Sequence, residues 1–219
     1  MNKKPIFRNK LEGEEEEQSE EKKNKKNDHG IREIFRVKSL RVSLMVVPFV
    51  WFAITFIAYG ITYSIGNLPG SIYTNGYSIL PAHVLAFLLV RPMANGLGRK
   101  KSMILGFAIV GVASLLFEPL SSLDVVLSYV CLGLGTFGST IVFNLVYMVT
   151  AEVFPTVFRG SIFGFSNVIG RVGGILAPLV DGAAKGSFMY IFGAVGVLSA
   201  FVSLFLKETK GEVMTDTAE

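Results

Sequence analysis

Chemistry-bearing residues are scarce in this chain. It has one cysteine, Cys131, and two histidines among 219 residues. A single thiol cannot close an intrachain disulfide, so cysteine usage says nothing about redox compartment. So few sulfur and imidazole groups build no metal cluster, and no cofactor is expected. Long stretches also lack acid: no Asp or Glu falls in the middle of any apolar run. An apolar h-region is missing after Met1, where Lys3 and Lys4 follow at once, so no cleavable signal peptide is expected. None of the loops expected on the outer side holds an Asn-x-Ser/Thr acceptor.

What the chain has in abundance is apolar length. Hydrophobic residues make up 51% of it and mean hydropathy is +0.51. Six apolar stretches run from Arg41 to Leu206: Val42–Ile65, about Tyr77–Val90, Ser102–Phe117, Val125–Thr150, Ile162–Val180 and Phe188–Leu206. A bilayer core asks for ~20 apolar residues per helix. The second and third stretches fall short, so their ends are expected to extend into the polar flanks. The runs are continuous rather than alternating, which selects helices over a membrane barrel. The expected fold is an all-α membrane bundle of six transmembrane helices.

Basic residues set its expected orientation. Arg32, Arg36, Lys38 and Arg41 precede the first stretch. Arg91, Arg99, Lys100 and Lys101 follow the second, Arg159 follows the fourth, and Lys207 and Lys210 follow the sixth. The alternate loops hold only Lys185. The positive-inside bias then places both termini in the cytoplasm. The formal charge of +4 therefore points to inner loops and anionic lipid heads, not to nucleic acid.

Four regions are expected. Residues 1–30 carry an acidic run at Glu14–Glu17 and a basic one at Lys22, Lys23, Lys25 and Lys26. With few aromatic or branched side chains they read as a disordered charged tail or linker. Residues 31–41, with Ile31, Ile34, Phe35 and Leu40 between basic residues, read as a short cytoplasmic segment at the membrane surface. The bundle spans 42–206, and 207–219 form a cytoplasmic tail.

Within the spans, Arg171 stands out. It lies near the middle of the fifth stretch, where a charge costs at least ~2.5–3.5 kcal/mol on insertion scales. Such a residue pairs with another helix or faces a watery cavity and its contents. Without a mid-span acid, contact with a substrate or ion is the favoured reading. His83 follows Leu80-Pro81-Ala82 in the second stretch. It can titrate near neutrality or sit neutral against a carbonyl, and the latter is the commoner role for such a residue. Trp51, Tyr59, Phe143 and Tyr147 lie at helical spacing, where aromatics more often pack than line pockets. Gly133-Leu134-Gly135-Thr136-Phe137-Gly138 matches a dinucleotide fingerprint. It lies mid-span without a preceding strand, so its glycines, like Gly160/Gly164 and Gly170/Gly174, are expected to let helices approach closely. An intramembrane hydrolase built from Ser139 and His83 lacks any orienting group, and an enzyme ranks last.

The loop Ala151-Glu152-Val153-Phe154-Pro155-Thr156-Val157-Phe158-Arg159, the run Gly170-Arg171-Val172-Gly173-Gly174-Ile175-Leu176-Ala177-Pro178 and the tail Lys207-Glu208-Thr209-Lys210-Gly211 occur in that order. So do Trp51-Phe52, Tyr59-Gly60 and Leu68-Pro69-Gly70-Ser71-Ile72-Tyr73-Thr74-Asn75. In these motifs, spread over most of the chain, the sequence resembles the C-terminal half of a major facilitator superfamily transporter. It is most similar to the organic ion transporter family, and next to the sugar porters. The resemblance implies a multi-pass protein, with the plasma membrane as the expected residence. Its implied function is movement of small organic ions by alternating access. An N-terminal six-helix half, in the same full-length chain or as a partner, would complete the fold.

The resemblance also implies roles. Arg171 falls where anion-transporting members carry Arg and cation-transporting members Asp. His83 falls where several anion transporters carry Lys. Tyr59, Phe143, Tyr147 and Asn144 fall at pocket positions, which leans the substrate toward an anion or zwitterion. Arg99, Glu152, Arg159 and Glu208 fall in motifs that gate the inner side. There are departures: Asn95 replaces an acid in the inner-loop motif, Gly98-Arg99-Lys100 arrives late after the second span, and Lys207 replaces a Pro. A sugar porter half is disfavoured because spans one, two and five carry no Gln and only Asn167. A non-transporting membrane scaffold with a working tail is the remaining alternative.

Overall fold

The structure, a computed structural model, describes residues 38–67, 71–154, 156–183 and 187–211. The expected charged tail at 1–30 and Lys185 lie outside the described residues, as does the surface segment before Lys38. Among these residues six helices follow in order: α1 (Lys38–Ser64), α2 (Ile72–Gly96), α3 (Arg99–Ser121), α4 (Val125–Val153), α5 (Thr156–Ala183) and α6 (Phe188–Ser203). A 3-10 turn, Ile65–Asn67, extends α1. The fold is all-α, as the apolar runs require.

The helices outrun the apolar stretches. α2 continues past Val90 through Arg91 and Pro92 to Gly96, so Arg91 lies on a helix and the connection to α3 is only Leu97-Gly98. Arg159 likewise falls in α5, not in a loop. Pro48, Pro81, Pro92, Pro119 and Pro178 all sit inside helices; a membrane helix tolerates them because neighbours re-satisfy the freed carbonyls. α6 is shorter than its apolar run. It has 16 residues, and Leu204, Phe205 and Leu206 then bond back three residues in a tightened turn. By length and composition five helices can cross a membrane, and α6 is the short apolar sixth.

Local chemistry sets the ends of α4. The Asp124 carboxylate accepts from Val126 N at 3.0 Å, capping the first turn. At the other end Phe154, held extended ahead of Pro155, stops the helix.

α1 packs chiefly on α5, α3 on α4 and α6, and α2 on α4. α1 also touches α4 and α6, which makes it the most enclosed helix. Small residues permit the tightest crossings. A Cβ at Gly138 would lie 2.8 Å from Gly106 O, and one at Gly173 would lie 2.5 Å from Phe52 O. The expectation of close approach holds for Gly138, and for Gly135, Gly170 and Gly174, which meet α1. At Gly133, Gly160 and Gly164 nothing lies within 4 Å, so within this chain they serve no crossing.

Trp51 is a core residue. It is 1% exposed, its indole N–H donates to Thr150 Oγ1 at 3.0 Å, and its ring meets Tyr147 and Phe163 edge-on. A buried indole needs such a partner. Asn75 is also buried: its amide donates to Ile65 O, and Tyr129 Oη donates to its Oδ1 at 2.7 Å, tying α2 to α1 and α4.

Candidate functional site

A cavity of about 260 Å³ opens between α1, α2 and α4. α1 contributes Ala58, Tyr59, Ile61 and Thr62; α2 contributes Ile79, His83 and Phe87. α4 contributes Thr136, Ser139, Thr140, Phe143 and Asn144, which recur every three or four residues and so share one face. The wall is mostly apolar with a polar stripe along α4, the usual composition of a small-molecule pocket.

The stripe is joined by hydrogen bonds. Thr140 Oγ1 donates to Thr136 O at 2.7 Å and lies 2.9 Å from His83 Nδ1. Asn144 Nδ2 donates to Thr140 O at 2.8 Å, which leaves its Oδ1 open. Thr136 Oγ1 is buried and has no partner among the described residues. Among the described residues, no Asp, Glu, Lys or Arg lines this cavity.

Of the residues singled out by sequence, Tyr59, His83, Phe143 and Asn144 line this space together. Tyr147 does not. It lies one turn past Phe143, where its ring packs between Trp51, Phe143 and Phe163. Arg171 does not line it either. Gly170, Gly173 and Gly174 take the side of α5 that meets α1, and the Thr55 hydroxyl donates to Gly170 O at 2.6 Å. Arg171, about 100° round the helix from Gly170, is therefore exposed. Its one hydrogen bond within the described residues is a long one from Nε to Asn167 Oδ1, 3.4 Å. Tyr59 connects the two places: its ring lines the cavity and also lies against Gly174.

A second cluster sits at the far end of the bundle. Arg99 Nε and Nη2 donate to the Glu152 carboxylate at 3.1–3.2 Å. The Thr209 hydroxyl donates to the same carboxylate. Glu208 accepts from Arg99 N at 2.9 Å and from Lys210 N at 3.2 Å. It thereby places a carboxylate at the N-terminus of α3, where unpaired amides favour an anion. Lys210 Nζ donates to Gly96 O at 2.6 Å, a cation on the last carbonyls of α2. Gly98 has φ +96° and touches Glu208, so a side chain there is excluded on both counts. The late arrival of Gly98-Arg99 in the sequence is matched by the extra length of α2, and Arg99 still meets Glu152 and Glu208. Arg159 Nε donates to Phe154 O, next to the α4–α5 connection. Removing the carboxylate in Glu208→Ala should free the tail. Tryptic cleavage at Lys210 is expected to speed up about five- to tenfold, as for losing roughly 1 kcal/mol of local closure.

Residues 6–178 match the family described as the Major Facilitator Superfamily. The chain belongs to that superfamily. Its relatives include mouse solute carrier family 22 member 21, 30% identical over 202 residues, which are 89% of this chain and 35% of that protein. Human organic cation/carnitine transporter 2 is 31% identical over 202 residues, 89% of this chain and 36% of that protein. Rat solute carrier family 22 member 6 is 31% identical over 196 residues, 85% of this chain and 34% of that protein. The chain thus spans about a third of the length of these relatives. This is a transporter superfamily and not an enzyme one.

Three features were not apparent from the sequence: Thr136 and the Thr140–His83 contact in the cavity, and the Asn75 tie between helices. Threonines in helices commonly bond back to the preceding turn, so nothing in their spacing marks them. Only the α4 face shared with Phe143 and Asn144 pointed their way.

Proposed function

We propose that this bundle forms one wall of a transporter for small organic ions, working by alternating access against a second six-helix bundle. The observation that carries the reading is the α1–α2–α4 cavity, with its polar stripe on α4, in a bundle of this superfamily. The burial pattern supports a second bundle: the apolar core of α1 is 67% buried, whereas those of α2 and α5 are 17% and 28% buried. Those two helices offer wide faces for a partner, as expected where two halves enclose a midplane site. The relatives bear the names of organic cation, carnitine and solute carriers, which supports an organic ion as cargo.

The substrate is anionic or zwitterionic in this proposal. Among the described residues, Arg171 is an exposed mid-helix cation with most of its donors open, and no carboxylate lines the cavity. Arg171, Tyr59, His83, Phe143 and Asn144 contact the substrate, and Tyr147 supports Phe143 from below. Both termini lie in the cytoplasm, so Arg99, Glu152, Arg159 and Glu208 form the inner closure, and the plasma membrane is the residence. A chimera tests the whole. This chain replaces the matching C-terminal third of human organic cation/carnitine transporter 2, and uptake of labelled organic ions is measured. Saturable uptake, lost in Asn144→Leu at equal surface expression, is expected. A surface-expressed chimera that moves no organic ion contradicts the reading.

A further inference from the structure

The Thr140 hydroxyl decides what His83 offers to a ligand. A hydroxyl has one proton to give. Thr136 O is a carbonyl and can only accept, and it lies 2.7 Å from Thr140 Oγ1. That contact uses the Thr140 proton. At 2.9 Å from His83 Nδ1, Thr140 Oγ1 must then accept, so Nδ1 carries the proton. In the neutral ring Nε2 is left bare, and no described residue bonds to it.

From this we infer that Thr140 is a specificity-determining residue, because it fixes His83 in the Nδ1–H form and presents a lone pair to the cavity. The favoured ligand places a hydrogen-bond donor, a hydroxyl or an ammonium group, at Nε2. Thr136 Oγ1, 3% exposed and unpartnered, lines the same cavity. It offers a ligand in this cavity a second polar contact. An anionic group gains nothing from Nε2 while the ring is neutral, because two acceptors would face each other. It is accepted once the ring carries a second proton. The groups around His83 reinforce the selectivity. Among the described residues, Tyr59 from α1 is the only other titratable side chain lining the cavity, and α4 brings only hydroxyls, Phe143 and the Asn144 amide. The inference rests on this cavity being the substrate site. With Arg171 taking an anionic end, it narrows the cargo to molecules with a carboxylate-like end and a donor end.

The test is imidazole nitrogen spectroscopy on the full chain in lipid nanodiscs, labelled with 15N-histidine. Only His29 and His83 contribute, and His29→Gln leaves one ring. At neutral pH, Nδ1 is expected to be protonated and Nε2 bare. Thr140→Val should invert this toward the Nε2–H form that free neutral imidazoles prefer, and Thr140→Ser should restore it. Four probes of one aromatic body then read the ligand class. Benzyl alcohol and benzylammonium should move the Nε2 resonance at neutral pH; benzyltrimethylammonium and benzoate should not. Benzoate should do so only after acidification has doubly protonated the ring. A parent protein with Nε2–H, a Thr140→Val spectrum like the parent's, or benzoate acting as strongly as benzylammonium at neutral pH overturns the inference. So does silence from every probe. Because the spectrum reports this chain alone, its failure is separable from a failure of the chimera to transport.

Discussion

Gly138→Ala is expected to destabilise the bundle by about 2 kcal/mol or more, while Gly133→Ala on the same helix leaves it unchanged or slightly more stable. Helix propensity alone predicts stabilisation at both sites, since alanine exceeds glycine by ~1 kcal/mol. Packing reverses the sign at one of them. The methyl group at 138 would meet Gly106 O at 2.8 Å and Val110 N at 3.0 Å. Both are backbone atoms of α3, so no rotamer change relieves the contact, and overpacking of this kind costs ~1–3 kcal/mol or more. At 133 nothing lies within 4 Å. Thermal melts of the solubilised chain check this, with monodispersity read in parallel. Equal melts for the two variants would mean that α3 and α4 do not touch through their backbones at Gly106 and Gly138.

Arg171→Ala should abolish uptake of organic anions by the chimera without lowering its surface expression. A charge-assisted hydrogen bond is worth ~1.5–3 kcal/mol, roughly a 10- to 100-fold loss in affinity. Expression should be spared because Arg171 makes only the long Asn167 contact within the described residues. Arg171→Lys should fall between, keeping the charge but losing the planar fork. Unchanged uptake in Arg171→Ala removes this residue from the site.

The six helices were legible because apolar length is a strong signal in a membrane protein. Their ends were legible only in part. The second stretch was expected to extend into its polar flanks, but not how far: α2 passes through Arg91 and Pro92 to Gly96. Membrane neighbours can satisfy the carbonyls that a proline frees, so the soluble-protein rule for helix termination fails here. The short α6 erred the other way: Leu204–Leu206 are apolar but turn more tightly than an α-helix.

Much of the candidate site was legible too. The residues themselves singled out His83 and the helically spaced aromatics Tyr59, Phe143 and Tyr147, and family resemblance added Asn144 and marked all five as pocket positions. Spacing could not separate Phe143, which lines the cavity, from Tyr147, which packs against Trp51. Both lie on the same side of one helix, and only the neighbouring α1 and α5 side chains distinguish them. Nor could it show that the glycines beside Arg171 face α1 and leave the guanidinium outside the cavity. Asn75 illustrates the reverse error: it belongs to α2, which the apolar run excluded it from, but its amide is spent on Ile65 and Tyr129 rather than on a ligand.

The most direct measurement is photolabelling of the chimera with a photoreactive benzoate-type organic anion that also carries a primary amine, followed by peptide mapping. Label concentrated on the cavity lining of α1, α2 and α4, around Tyr59, Phe87 and Phe143, and competed away by unlabelled transported ion, is the predicted result. Label spread over the outer faces of α3 and α6, insensitive to competition, would contradict a substrate site between α1, α2 and α4.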